Sequence, residues 1–173
     1  QRVVEQIVSE KELQHRDKGG IHFHLDLPEE FEWTSALLPE TALLRVLSNL
    51  IDNAVEALDR SGNIEVSGRV ASGTESIISI RDSGKGIPEG LLPHLMQKGA
   101  TFGKKHGSGL GLFHARETLE KNGGSIEITS ELGKGTVVSI AFPAVVVQSE
   151  MVCKFPRVVS DTPATIAHGA FHA

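Results

Sequence analysis

The sequence predicts an α/β protein, a two-layer sandwich with one mixed, mostly antiparallel sheet under a helical layer. Three observations predict it. Helical and strand patterns share the chain without the regular alternation of a doubly wound parallel sheet. Residues 39–60 form one strongly amphipathic helical pattern, whose apolar side needs a surface to cover. Residues 125–142 form two alternating segments around the glycine-bearing turn "ELGKG", a hairpin and therefore an antiparallel pair.

Residues 1–18 read as a helix, with Val4, Ile7, Val8 and Leu13 in the apolar stripe and Gly19–Gly20 ending it. "IHFHLDL" (21–27) alternates apolar Ile21, Phe23, Leu25 and Leu27 with His22, His24 and Asp26, a half-buried strand with its histidines outward. In the 39–60 helix Pro39 suits the first turn, and Leu43, Leu47, Leu50, Ile51, Ala54 and Leu58 make the apolar face. Arg45, Asn49, Asp52, Asn53 and Glu56 fall opposite. Residues 64–70 and 76–82 are strands, and 90–109 is a long glycine- and lysine-bearing connection with one or two helical turns. A helix over 110–122 follows, closed by Gly123–Gly124, and then the hairpin.

The chain has 173 residues, 39% hydrophobic, with a net charge of −5. That length suits one domain with flanking sequence, and the charge disfavours a general nucleic-acid binder. No apolar run is long enough to span a bilayer, so no membrane contact is expected of this domain. No signal peptide is visible, and opening on Gln1 suggests a fragment of something longer. A single cysteine, Cys153, excludes an internal disulfide framework and fits a reducing compartment, hence a cytoplasmic location.

Four short features could carry chemistry. Asn49 and Asn53 lie at i and i+4, on one helix face, and asparagine is a poor mid-helix residue. They are either a solvated face or oxygen ligands for a hard cation such as Mg2+. In "DSGKGIP" (82–88), Asp82 shares a strand face with Ile78 and Ile80. It is either the first residue of an ordinary tight turn or a carboxylate at the mouth of an apolar pocket, seeking donors. In "GSGLG" (107–111), glycines precede a helix, as in a hinge or an anion cradle. No Gly-Lys-Ser/Thr follows and no strand precedes, so this is neither a Walker loop nor a dinucleotide fingerprint. "GKGT" (133–136) alone is a hairpin turn.

Their order is more specific than any one of them. "LSNLIDNAVEAL" (47–58), "DSGKGIP", "GSGLGL" and "GKGT" resemble the N box, the G1 and G2 boxes and the hairpin motif of the ATP-binding catalytic domain of sensor histidine kinases. This GHKL (Bergerat-fold) superfamily also holds type II topoisomerases, heat-shock chaperone ATPases and MutL. The resemblance covers residues 20–143. It implies ATP and Mg2+ as ligands, with Asn53 the metal ligand and Asn49 supporting it or contacting phosphate. Asp82 would accept from the adenine amine with Thr136 beside it, and Gly84 and Gly86 would let the chain pass close to the base. Gly107, Gly109, Leu110 and Gly111 would line the triphosphate with backbone N–H groups. The segment between the G boxes would be the ATP lid, with Lys98, Thr101, Lys104 and Lys105 as candidate phosphate contacts, and Lys85 solvated.

Departures from the family pattern are Glu56, where many members have lysine, Ala57, where an aromatic is common, and a weak match around Phe102. Asn49 stands where the ATPase relatives have a glutamate base, and an amide cannot activate water. The expected activity is therefore phosphorylation of a histidine on a dimerisation domain of the same protein, within two-component signalling. The partners implied are that domain, a response regulator and a second copy in a full-length homodimer, which can be membrane-anchored. A protein serine kinase of the same fold and a non-catalytic nucleotide sensor are the alternatives. His15 does not match the acceptor motif, so residues 1–18 read as a connector from the dimerisation domain, 19–143 as the catalytic domain and 144–173 as an extension of unknown role. In that extension His168 and His172 have a metal-like spacing without a third ligand, and Cys153 reads as a small apolar residue.

Overall fold

The computed structural model describes residues 1–16, 20–32, 34–58, 60–71, 74–99 and 110–146. In chain order the elements are α1 (Arg2–His15), β1 (Ile21–Asp26), α2 (Glu29–Glu32), β2 (Thr34–Ala36), α3 (Glu40–Ala57), β3 (Gly62–Val70), β4 (Glu75–Asp82), a 3-10 helix (Glu89–His94), α4 (Gly111–Lys121), β5 (Ser125–Glu131) and β6 (Gly135–Val146). The sheet runs β1-β3-β4-β6, with β5 and β2 following one another along the outer edge of β6. Only the β1–β3 pairing is parallel among the described strands, so the sheet is mixed and mostly antiparallel, as expected.

Strand parity decides which face is covered. Ile64 and Val66 of β3, Ser76, Ile78, Ile80 and Asp82 of β4, and Thr136, Ile140, Phe142 and Ala144 of β6 are all buried. Helix α3 lies over this face and buries Leu43, Val46, Leu47, Leu50, Ile51, Ala54 and Val55, the i, i+3, i+4 stripe the sequence shows. At about 1.5–3 kcal/mol for each large side chain removed from water, this contact contributes most of the drive for the two layers to associate. Helices α1 and α4 flank α3.

Several elements depart from expectation. Helix α3 ends at Ala57 and not at residue 60, because the extended Leu58 turns into the core. Strand β6 continues past Phe142 to Val146, where it pairs with the unforeseen β2. In α1 the buried stripe is Val4, Ile7, Val8 and Lys11, while Leu13 is 67% exposed. Lys11 occupies the core-facing position because its ammonium reaches Asp52 of α3, at 2.7 and 2.8 Å from the two carboxylate oxygens. Its stem packs while its charge is paired, at 7% side-chain exposure against 40% for Asp52. Lys11→Ala should lower stability by about 1–3 kcal/mol, several degrees of melting temperature, and Lys11→Met by less, since methionine retains the packing. Equal melting of Lys11→Ala and the parent would show that the pair contributes nothing.

Candidate nucleotide site

Asp82 ends β4 on the buried face and is 5% exposed. Its register partner across the sheet is Thr136 of β6, 6% exposed. One carboxylate oxygen accepts the Gly84 N–H at 2.8 Å, while the Thr136 backbone N–H faces the Asp82 main chain in the β4–β6 ladder. Burial pushes the Asp82 carboxyl above its ordinary pKa, and these two N–H groups partly offset the shift. One accepted hydrogen bond does not exhaust a carboxylate, which has about four lone-pair sites. Asp82 thus begins the expected tight turn and is at the same time a buried carboxylate.

The turn after Asp82 is pressed onto the end of α3. A Cβ on Gly84 would lie 2.6 Å from the Ala57 carbonyl oxygen and 2.8 Å from Asp82 Oδ1, so only glycine passes there. The Lys85 N–H donates to the same Ala57 carbonyl, at 3.2 Å. On its other side the turn is fastened to the β5–β6 hairpin: Gly133 N–H donates to Lys85 O, and Ile87 N–H to Ser130 Oγ, both at 2.8 Å. Gly86 has φ +65°, and a Cβ there would run into the Glu131 carbonyl, so both its conformation and its contact require glycine.

Asn53 is one helical turn before Ala57, and Asn49 one turn before Asn53. Both are half-buried, and α4 begins against them: a Cβ on Gly111 would lie 3.9 Å from Asn49 Cβ and 4.0 Å from Asn53 Nδ2. The start of α4 has Leu110 at its N-cap, no side-chain cap and no acidic residue in its first turn, whereas α1 and α3 carry Glu5 and Glu40 there. Among the described residues no side chain caps its leading N–H groups, and a helix start of this kind suits an anion.

The structure thus brings Asp82, Thr136, Gly84, Gly86, Asn53, Asn49, Leu110 and Gly111 around the C-terminal half of α3. Lys98 is exposed beyond the 3-10 helix, and Glu56 is exposed on α3. Gly107, Gly109, Lys104, Lys105, Thr101 and Phe102 lie outside the described residues, as do Cys153, His168 and His172. His15 is half-buried at the end of α1, and His22 and His24 are exposed on β1, as parity predicts. Sequence reasoning missed Ser130, although a polar residue in the inward row Ile126, Ile128, Ser130 was a readable signal.

The residues present fit a magnesium–nucleotide ligand. A buried acceptor with spare lone pairs suits a base amine, and the amide oxygens of Asn49 and Asn53 are hard donors for Mg2+. The glycines let the turn pack directly on the Ala57 carbonyl and on the hairpin, beside Asp82. No described helix is long and apolar enough to cross a membrane.

Known proteins resemble this chain in sequence and in fold. Residues 39–146 match the family described as histidine kinase-, DNA gyrase B-, and HSP90-like ATPase. The chain is 32% identical to a probable C4-dicarboxylate sensor kinase of Bacillus subtilis over 132 residues, 72% of this chain and 24% of that protein. It is 37% identical to the sensor histidine kinase ZraS of Salmonella typhimurium over 108 residues, 62% of this chain and 23% of that one. The chain thus spans about a quarter of the length of these relatives. Among solved structures, the catalytic domain of the histidine kinase ThkA superposes with a TM-score of 0.72 at 26% identity, covering 82% of this chain and 90% of that one. By sequence match, fold and the residues its fold gathers, the chain belongs to the histidine kinase-, DNA gyrase B- and HSP90-like ATPase family.

Proposed function

We propose that this chain binds Mg2+-ATP and supplies its γ-phosphoryl group to a histidine on a dimerisation domain of the same protein, from which a response regulator then takes it. The observation that carries this reading is the convergence, on one side of α3, of a buried acceptor at Asp82, an amide pair at Asn49 and Asn53, and an α4 N-terminus free of acidic residues. In this reading Asp82, with Thr136, holds the base. Gly84 and Gly86 shape the floor beneath it. The first N–H groups of α4 face the phosphates, and Asn53 with Asn49 holds the metal. Bound Mg2+ would neutralise charge on the phosphate oxygens of the substrate. Lys104 and Lys105 are further candidates for phosphate contact.

Asn49 favours transfer over hydrolysis. Its amide takes no proton from water, so the position lacks the base a hydrolase needs. The acceptor imidazole needs no such activation, because its neutral nitrogen already carries a lone pair.

The test is to mix the chain with γ-labelled ATP, Mg2+ and the histidine-bearing domain of the same gene. Acid-labile, alkali-stable label should appear on that domain, and phosphate release by the chain alone should be negligible. Robust hydrolysis by the chain alone, or acid-stable label on serine or threonine, would overturn the histidine-kinase reading.

A further inference from the structure

Ser130 is the polar member of the inward row of β5, directly across from Thr136. Its hydroxyl has one proton and two lone pairs to place. One lone pair accepts the Ile87 N–H at 2.8 Å, which holds the turn after Asp82 to the hairpin. The Gly135 carbonyl oxygen, which can only accept, stands 2.9 Å away and takes the Ser130 proton. The second lone pair then faces Thr136 Oγ1, also at 2.9 Å. Thr136 must donate there, and so it presents only lone pairs elsewhere. Its backbone N–H already faces the Asp82 main chain in the β4–β6 ladder.

We propose that Ser130 is a positioning residue for nucleotide-base recognition: by fixing the direction of the Thr136 proton, it makes Thr136 and Asp82 a pair of acceptors that selects a base edge bearing an exocyclic amine over one bearing a carbonyl oxygen. Adenine offers such an amine. Guanine would turn a carbonyl oxygen toward two acceptors, with no proton between them. This inference rests on the assignment of Asp82 to the base made above. It adds that the selectivity depends on a serine with no direct role toward the nucleotide.

Binding titrations of ATP and GTP with the parent, Ser130→Ala and Ser130→Thr test it. Ser130→Ala frees the Thr136 hydroxyl to rotate and donate. Its preference for ATP over GTP should narrow by up to about tenfold, the upper value of one neutral hydrogen bond. Ser130→Thr retains the hydroxyl and should retain the preference. Ser130→Cys, close in volume with only a weak donor, gives the same reading should the alanine variant not fold. A uniform loss for both nucleotides with an unchanged ratio, or no change at all, would overturn the proposal and leave Ser130 a structural residue. Asp82→Asn in parallel keeps the two readings apart. If it leaves ATP binding intact, the base assignment fails; if it weakens ATP while Ser130→Ala preserves the ratio, only the Ser130 inference fails.

Discussion

Replacing Asp82 with asparagine should weaken ATP, ADP and adenosine together, by about 10- to 100-fold, because the change acts on the base and not on the phosphates. The carboxylate accepts from Gly84 N–H and keeps lone pairs for the base amine. Asparagine has one accepting oxygen and one donating nitrogen. If the oxygen faces the backbone donor, the NH2 group meets the base amine, donor against donor. If it turns round, the Gly84 N–H loses its acceptor. The nucleotide-free variant should nonetheless melt within about 4 °C of the parent, roughly 1 kcal/mol, since a costly buried charge is removed along with the hydrogen bonds. Unchanged adenosine affinity in calorimetry would refute the assignment.

The raised pKa gives this prediction a pH signature. In the folded protein Asp82 takes up its proton at a higher pH than in the unfolded chain. Its buried charge therefore costs stability at neutral pH, and that cost is relieved as pH falls through the folded-state pKa. Binding runs the other way. The base amine needs the carboxylate, so affinity is full above the folded-state pKa and declines as pH falls through it, sooner than for an ordinary aspartate. Adenosine is the probe to use, having no phosphate to titrate. The parent should show the decline, and Asp82→Asn, with nothing to protonate, should be flat over the same range.

Both residues of this base end were differently legible in the sequence. Asp82 could be found by counting, because its parity with Ile78 and Ile80 places it on the buried face. The helical period made α3 readable in its turn, since eighteen residues leave a stripe too regular to mistake. Strand β2 and helix α2 left no such trace. Three and four residues are too few to show a period, and β2 exists by pairing with the far end of β6. Lys11 was hidden for another reason: a charged residue in an apolar stripe reads as its edge until the partner on a different helix is known. Ser130 is similar, because its three contacts come from the turn at Ile87 and the neighbouring strand, and only the fold brings them together. The glycine motif was visible in the sequence, and the fold adds what a motif lacks, the amide face of α3 against which Gly111 starts α4.

At that face, Asn53→Ala should remove the part of nucleotide binding that depends on Mg2+ and should lower phosphoryl transfer by about 100-fold, roughly 3 kcal/mol of metal-assisted charge stabilisation. Asn53 projects from the turn of α3 that faces Gly111, one turn before the Ala57 carbonyl that supports the Gly84 turn. An alanine there keeps the helix, having a higher helix propensity than asparagine, so a loss of function would not come from a loss of fold. The decisive comparison uses two ligands. Adenosine has no phosphate to share a metal with, and its affinity should be the same in Asn53→Ala as in the parent. ATP should bind the parent more tightly with Mg2+ than with chelator, and the variant equally in both. Asp82→Asn should show the reverse pattern, weak for both ligands but still strengthened by Mg2+ where ATP is concerned. Asn53→Asp, which keeps an oxygen ligand, should recover the metal dependence. If Asn53→Ala retained a full Mg2+ effect on ATP, the metal would have to be held elsewhere, and α3 would contribute only the wall of the site.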